Sequence, residues 1–410
     1  MPIRRWDLTA AAVSLWGAAV VAIAAHAYLY PHAHSVFPIY ATAARDWWAG
    51  RALYGDPASD YRYSPLFAVA VTPFALLPDR WGGVLWKVFN CAFYAIGLWA
   101  WGRQVLPTRL TPTGLAALFL LALPMSLMSM HNGQANLAML GGMLLALSAV
   151  ALNRWNAAAG WLALATFIKG YPLAFALLLA GCYPGPFVIR CAAALGSGLV
   201  LPFAFQSSAF AGTQTGNWLK SLHDIAATRP EKYRSIDQLW RVFHRPLSPN
   251  LYAALSVVAG GAVLGLCLLH RRRSPERREL LTRMFMLFAA WVVLFGPTTE
   301  EATYVVVAPA IAWALVDAFA RPAARGIRLL LVTSLLLMGP FATDMFGSAA
   351  RIFATQHGSL PLGALLFLGY LLAQAGRIRR ERQVPHGPPG RPTSGSGETH
   401  SEGNRLAFRE

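Results

Sequence analysis

The chain has 410 residues and a formal net charge of +17; 56% of its residues are hydrophobic and only 13% charged, with a mean hydropathy of +0.44. These proportions exclude a soluble globular enzyme and fit a multi-spanning membrane protein whose solvent is the bilayer. A nucleic-acid partner is excluded by where the charge lies, in short clusters beside apolar runs: Arg4 and Arg5, Arg271 to Arg273 with Arg277, Arg278 and Arg283, Arg321 with Arg325 and Arg328, and Arg377 to Arg382.

Apolar runs of bilayer length recur at about 9–30, 82–102, 113–130, 135–152, 186–205, 251–269, 284–320 as a broken pair, 327–345 and 359–376. The first is read as a retained helix, because spans continue along the chain and no small-residue cleavage site precedes a soluble domain. Basic clusters mark cytoplasmic loops that face anionic lipid, which turns the loops at about 31–64 and 206–250 outward and puts both termini inside. Within the first outer loop, Ile39 to Ala52 reads as a short amphipathic helix with Trp47 and Trp48 as interface anchors.

The run from 65 to 78 is short and carries a proline, so it is a half-helix or an interfacial segment. Region 156–182 is broken at Gly170-Tyr171-Pro172. With Arg154 and Arg190 on the same side it becomes two half-helices that dip in and return, with Lys169 near the apex. The alternative is one kinked span, and the two readings bracket about 10 to 12 crossings. Cys91, Cys182, Cys191 and Cys267 lie in or beside apolar runs without metal-ligand spacing and read as packing residues. One membrane domain is expected over 1–380, followed by a Gly/Pro-rich disordered cytoplasmic tail over 381–410.

Several polar residues could carry chemistry in this setting. A lysine within the bilayer costs about 2.5–3.5 kcal/mol, and Lys169 has no acid in its own or neighbouring spans, so an external anion such as a lipid phosphate is its natural partner. In the first outer loop Asp46, Asp56 and Asp60 share the chain with Tyr40, Trp47, Trp48, Tyr54, Tyr61 and Tyr63. Carboxylates among aromatics suit sugar binding and general-base work, and equally an interface belt with solvated aspartates. Asn132, Gln134 and Asn136 form either a plain polar turn or a set of amides for a head group. Glu300 and Glu301 are adjacent, so at most one faces a shared cavity, while a carboxylate there also suits a helix N-terminus. Arg234, Asp237 and Arg241 line a cavity mouth or a solvated loop. No metal ligand set or Gly-rich phosphate loop is found, and no cofactor is expected.

Three stretches, in order and spacing, carry a resemblance: Gly50 to Tyr54 with Tyr63-Ser64-Pro65-Leu66-Phe67 and Pro73 to Pro78; Asn-Gly-Gln-x-Asn at 132–136; and Lys-x-Tyr-Pro at 169–172. Together they resemble glycosyltransferase family 87 of the GT-C class, also circulated as DUF2029. The resemblance implies an all-α integral membrane fold, a GT-C polytopic helical bundle whose first outer loop holds a short amphipathic helix. It also implies a hexosyltransferase of the cell envelope, often a mannosyltransferase, acting on the outer face of the cytoplasmic membrane.

The implied donor is a polyprenyl-phosphate-linked sugar and the acceptor a lipid or glycan, with no nucleotide sugar required. Lys169, Tyr171, Asn132, Gln134 and Arg234 are then expected at the donor phosphate or lipid, and Tyr40, Tyr63 and Tyr304 beside sugar or acceptor. The family's usual catalytic aspartate falls at Val36 in this chain, and its His-His pair at Ala302 and Thr303. Asp60 and Asp46, then Glu301, are the expected replacements as base. A lipid-linked-sugar transporter or a non-catalytic membrane subunit are the alternatives.

Overall fold

The computed structural model describes residues 5–55, 61–227, 233–274 and 276–381, with no strand among them. Asp56, Asp60 and the tail expected to be disordered, from 382 on, lie outside the described residues. The helices are, in chain order, α1 (Arg5–Leu29), α2 (Phe37–Trp48), α3 (Pro65–Ala75), α4 (Asp79–Gln104), α5 (Pro112–Asn132), α6 (Asn136–Ala151), α7 (Trp155–Ile168), α8 (Tyr171–Cys182) and α9 (Pro184–Val200). They continue with α10 (Ser208–Ala227), α11 (Asp237–Val242), α12 (Pro249–Arg273), α13 (Arg277–Phe295), α14 (Ala308–Ala320), α15 (Arg325–Met338), α16 (Ser348–Gln356) and α17 (Ser359–Glu381). A 3₁₀ segment, Glu301–Val307, leads into α14. Residues Met1–Leu371 make one compact unit and Leu372–Glu410 a second, of which the last turns of α17 are described.

Local chemistry sets several helix starts. Ser64, Thr111 and Ser248 each precede a proline at the first helical position, and each side-chain oxygen accepts a backbone N–H from the first turn, of Phe67, Gly114 and Leu251 respectively. The hydroxyl satisfies a donor the helix leaves open, and proline loses nothing at a position whose N–H has no helical partner.

Among the described residues, seven helices are long and apolar enough to cross a bilayer, and the bent pair Ser348–Gln356 with Ser359–Ala375 makes an eighth if it is one span. The higher count expected from the apolar runs arises from four shorter helices, α3, α6, α7 and α8, and from α13, whose first turns carry Arg277, Arg278, Glu279 and Arg283. At 1.5 Å per residue, α7 and α8 reach only about 21 and 18 Å, against a hydrocarbon core of about 30 Å. They settle the ambiguity of region 156–182. Trp155 opens α7 and Tyr183 follows α8, yet their rings lie 5.4 Å apart, and Arg277 packs on both. The segment therefore enters and leaves at the same end of the bundle, as a re-entrant pair with Lys169 and Gly170 at its apex.

At the centre, α6 is buried on nearly every side. It crosses α4 so closely that a Cβ on Gly97 would lie 2.7 Å from the Gly141 carbonyl oxygen. Small residues allow such backbone approach where lipid supplies no hydrophobic drive between helices. The amphipathic reading of α2 holds, with one correction to its anchors. Trp47 is fully buried against Phe210, whereas Trp48, about 100° further round, is exposed and donates from Nε1 to Thr72.

Candidate functional site

At the end of the bundle opposite Trp155 and Tyr183, the connections between helices converge, and the turn from α5 to α6 is their hub. Gly133 ends α5 at φ +63°, the left-handed conformation that glycine adopts without Cβ strain. Three consecutive-turn residues of α4 hold this turn: Trp86 Nε1 donates to Gly133 O at 2.8 Å, Lys87 Nζ to His131 O at 2.6 Å, and Asn90 Oδ1 accepts from Ala138 N at 3.2 Å. Lys87 is 2% exposed and brings its charge to the carbonyl end of α5, where the helix dipole favours a cation. Val36 N, at the start of α2, donates to Asn132 O at 3.0 Å.

The Asn-Gly-Gln-x-Asn side chains then reach across to the segment before α14. Asn136 Nδ2 donates to Ala302 O at 3.0 Å and to Gln134 Oε1 at 2.7 Å, and Ser129 Oγ donates to Ala302 O at 2.7 Å. Gln134 Nε2 stands 3.5 Å from Glu300 Oε2. Glu300 caps the 3₁₀ segment reciprocally: its carboxylate accepts from the Thr303 backbone, and its own N–H donates to Thr303 Oγ1 at 3.2 Å. The two adjacent carboxylates diverge. Glu301 turns away to Arg234 at 3.4 Å and Arg351 at 3.9 Å.

The re-entrant apex meets the same cluster. Tyr171 donates to Thr298 O at 2.8 Å, its hydroxyl also meets Thr298 Oγ1, and it lies within electrostatic reach of Glu300. Lys169 Nζ sits 5.9 Å from the Tyr171 ring centre. On the approach to the apex, Ser64 Oγ donates to Phe167 O at 2.6 Å while capping α3, so a single buried hydroxyl ties the first loop to the break.

Tyr40 and Tyr63 share a hydroxyl contact of 2.6 Å, and the Tyr40 hydroxyl accepts from Ala135 N at 3.4 Å. Burial pushes both phenols above their ordinary pKa, with the mutual interaction adding for Tyr40 and the Glu300 carboxylate adding for Tyr63. They stay neutral hydrogen-bonding groups across the physiological range.

The residues expected from sequence divide into two sets. Tyr171, Gln134 and Tyr63 are brought together around Glu300, with Lys169 beside the Tyr171 ring and Asn132 in the supporting turn. Asp46 is not brought in: its Oδ1 is held by Arg51 at 2.6 and 2.7 Å. Glu301 and Arg234 pair with each other beside the cluster. Tyr40 and Tyr304 are each 1% exposed, so neither offers a ring face to sugar; Tyr304 instead donates to Arg234 O at 2.7 Å. Sequence reasoning passed over Lys87, although a lysine inside an apolar run is the same signal that singled out Lys169. It also named Glu301 over Glu300, a choice between neighbours that only their backbone directions decide.

An all-helical bundle, among the described residues, with helices of bilayer length and a polar cluster where its connections converge, is a multi-pass membrane protein with a candidate site at one end. The chain belongs to glycosyltransferase family 87: the sequence model of that family matches residues 61–297, which include the hub turn, the apex and the start of the 297–301 segment. It is thus a membrane glycosyltransferase. Among solved structures the chain is similar to ArnT from Cupriavidus metallidurans in the apo state, at 15% identity over 89% of this chain and 77% of that one, with a TM-score of 0.41. No curated protein matches the chain.

Proposed function

We propose that this glycosyltransferase moves a sugar from a polyprenyl-phosphate donor to a lipid or glycan acceptor on the outer face of the cytoplasmic membrane. The observation that carries the reading is the meeting of Lys169, Tyr171, Gln134, Tyr63 and Glu300 from four separate stretches of chain. A cation at the apex of a re-entrant pair suits a phosphate whose carrier chain stays in lipid, since irregular backbone at depth is tolerated where it lines a cavity. The orientation follows from the basic residues gathered at the other end.

Glu300 takes the role of base in this reading. Val36 occupies the position where the family resemblance puts a carboxylate, and an isopropyl group accepts no proton. Val36 and Glu300 lie on two sides of the same turn, one bonded to Asn132 O and the other to the Gln134 side chain. Glu300 removes the acceptor hydroxyl proton as that oxygen attacks the anomeric carbon. The bond from that carbon to the phosphate oxygen breaks with its electron pair on phosphate, where Lys169 offsets the charge, and the sugar carbon inverts. Asp60 is the competing base.

The test is transfer in reconstituted vesicles from radiolabelled polyprenyl-phosphate mannose, glucose or arabinose to an envelope-lipid acceptor fraction. Label in a new lipid, lost in Glu300→Gln and kept in Asp46→Asn, supports the assignment. Loss in Asp60→Asn with Glu300→Gln active moves the base to Asp60. Donor binding without transfer in the wild type points instead to movement of a lipid-linked sugar.

A further inference from the structure

Away from the site, the opposite end of the bundle holds an arrangement that transfer does not use. The Arg271 and Arg277 guanidiniums both pack over the Tyr183 ring, at 5.3 and 6.0 Å from its centre, and Arg277 also lies 5.8 Å from the Trp155 ring. The two rings are themselves in contact, so four side chains from the starts of α7 and α13, the α8–α9 junction and the end of α12 form one cluster. Arg277 is further fixed by donating from Nη1 to Val150 O at 3.4 Å and to Asn153 Oδ1, at the carbonyl end of α6.

Charge accounting sets this cluster apart. Among the described residues neither arginine has a carboxylate within ion-pair distance, although acids are near at this end. Glu279 is engaged by His270, Arg283 and Ser274, and Asp317 by Arg321. Two guanidiniums within about 6 Å of one ring repel each other, and aromatic faces offset only part of that, about 0.5–2 kcal/mol each. An anion placed between them removes the repulsion and accepts their remaining N–H donors in a fork geometry that suits phosphate. Arg271 is exposed and caps a membrane-spanning helix, so the anion that meets it at this depth is a lipid head group.

We propose that Arg271, Arg277, Tyr183 and Trp155 form a binding site for the phosphate of an anionic phospholipid. Basic pockets between membrane helices on the cytoplasmic side hold such head groups. Trp155 and Tyr183 supply the amphipathic rings that settle at head-group level. Because this site also fastens α12 to one end of the re-entrant pair and α13 to both, a bound lipid stabilises the hairpin whose apex carries Lys169.

The test uses the full chain in mild detergent with added phosphatidylglycerol or phosphatidylcholine, retained lipid being counted by native mass spectrometry and the unfolding midpoint followed by a thermal ramp. Phosphatidylglycerol is expected to stay bound and to raise the midpoint, and phosphatidylcholine to do neither. Arg271→Gln should weaken apparent phosphatidylglycerol affinity by about fivefold, as for one basic side chain beside an anionic surface. Arg271→Lys should keep most of it and Arg272→Gln all of it. Tyr183→Leu, which removes the shared ring, should weaken it independently. Equal retention by wild type and both Arg271→Gln and Tyr183→Leu overturns the site. Equal losses in Arg271→Gln and Arg272→Gln overturn it in favour of diffuse charge, and reproduction of the midpoint shift by inorganic phosphate overturns the lipid as ligand.

Discussion

The two ends of the bundle use polar side chains in opposite ways. At the basic end, arginines reach outward from helix ends to carbonyls, aromatic faces and single amides: Arg277 to Asn153 and Val150, Arg190 to Asn156 and Pro186 O, Arg321 to Thr108. At the site end, hydroxyls, amides and carboxylates bond inward between connections distant in sequence, such as Ser64 to Phe167, Gln134 to Glu300 and Tyr171 to Thr298. One end keeps its charge at helix ends, on carbonyls, amides and ring faces. The other pre-organises a cluster where backbone is irregular and every polar group needs a partner.

If that contrast is functional, substitutions of comparable size should have unequal effects at the two ends. The largest loss is expected for Glu300→Gln, which keeps the shape and the Gln134 contact but removes a base, lowering sugar transfer by about 10²–10⁴-fold with donor binding retained. Glu301→Gln, which loosens an arginine contact instead, should leave transfer within about tenfold of wild type, and a larger drop would reverse the roles of the two neighbours. Next comes Lys169→Ala. Loss of a charge-assisted contact to phosphate should raise the apparent donor KM by about 10–100-fold, and an unchanged KM and turnover would remove Lys169 from the phosphate.

A smaller and purely structural effect is expected at Ser64. Ser64→Ala removes the donor to Phe167 O and the side-chain cap on Phe67 N, which costs about 1–3 kcal/mol and lowers the unfolding midpoint in detergent. An unchanged midpoint would mean the apex is held without the first loop. The smallest effect concerns Tyr40 and Tyr63. Since their folded pKa values lie above the unfolded value near 10, their contribution to stability is full below about pH 10 and is lost as pH rises through the folded values. Ultraviolet titration should find both phenols un-ionised at pH 10, and ionisation there would show that the pair is solvated.

Much of the fold was legible because bilayer physics writes directly into sequence. Apolar length marks the spans, Ser-Pro and Thr-Pro mark helix starts, and basic clusters mark one end. The break at Gly170-Tyr171-Pro172 was equally visible, and Lys169 stood out as a charge in an apolar run. What the pattern left open was direction: a break looks the same whether the chain continues through the bilayer or turns back. The contact between Trp155 and Tyr183 decides it, and that contact joins residues far apart in sequence.

The site was legible only in its parts. Lys169, Gln134, Tyr171 and Tyr63 were identifiable as types of residue in suitable segments, but nothing local distinguishes Glu300 from Glu301, or a tyrosine facing a cavity from Tyr40 buried in the core. By itself the sequence determined a polytopic, all-helical membrane protein of a glycosyltransferase family, because hydropathy, charge placement and short motifs are local properties. Tertiary structure alone decided that the hairpin returns, that α4 holds the hub turn through Trp86, Lys87 and Asn90, and which carboxylate meets Gln134. Each of these depends on side chains meeting across long stretches of chain, where packing and partner satisfaction, rather than spacing, select the contact.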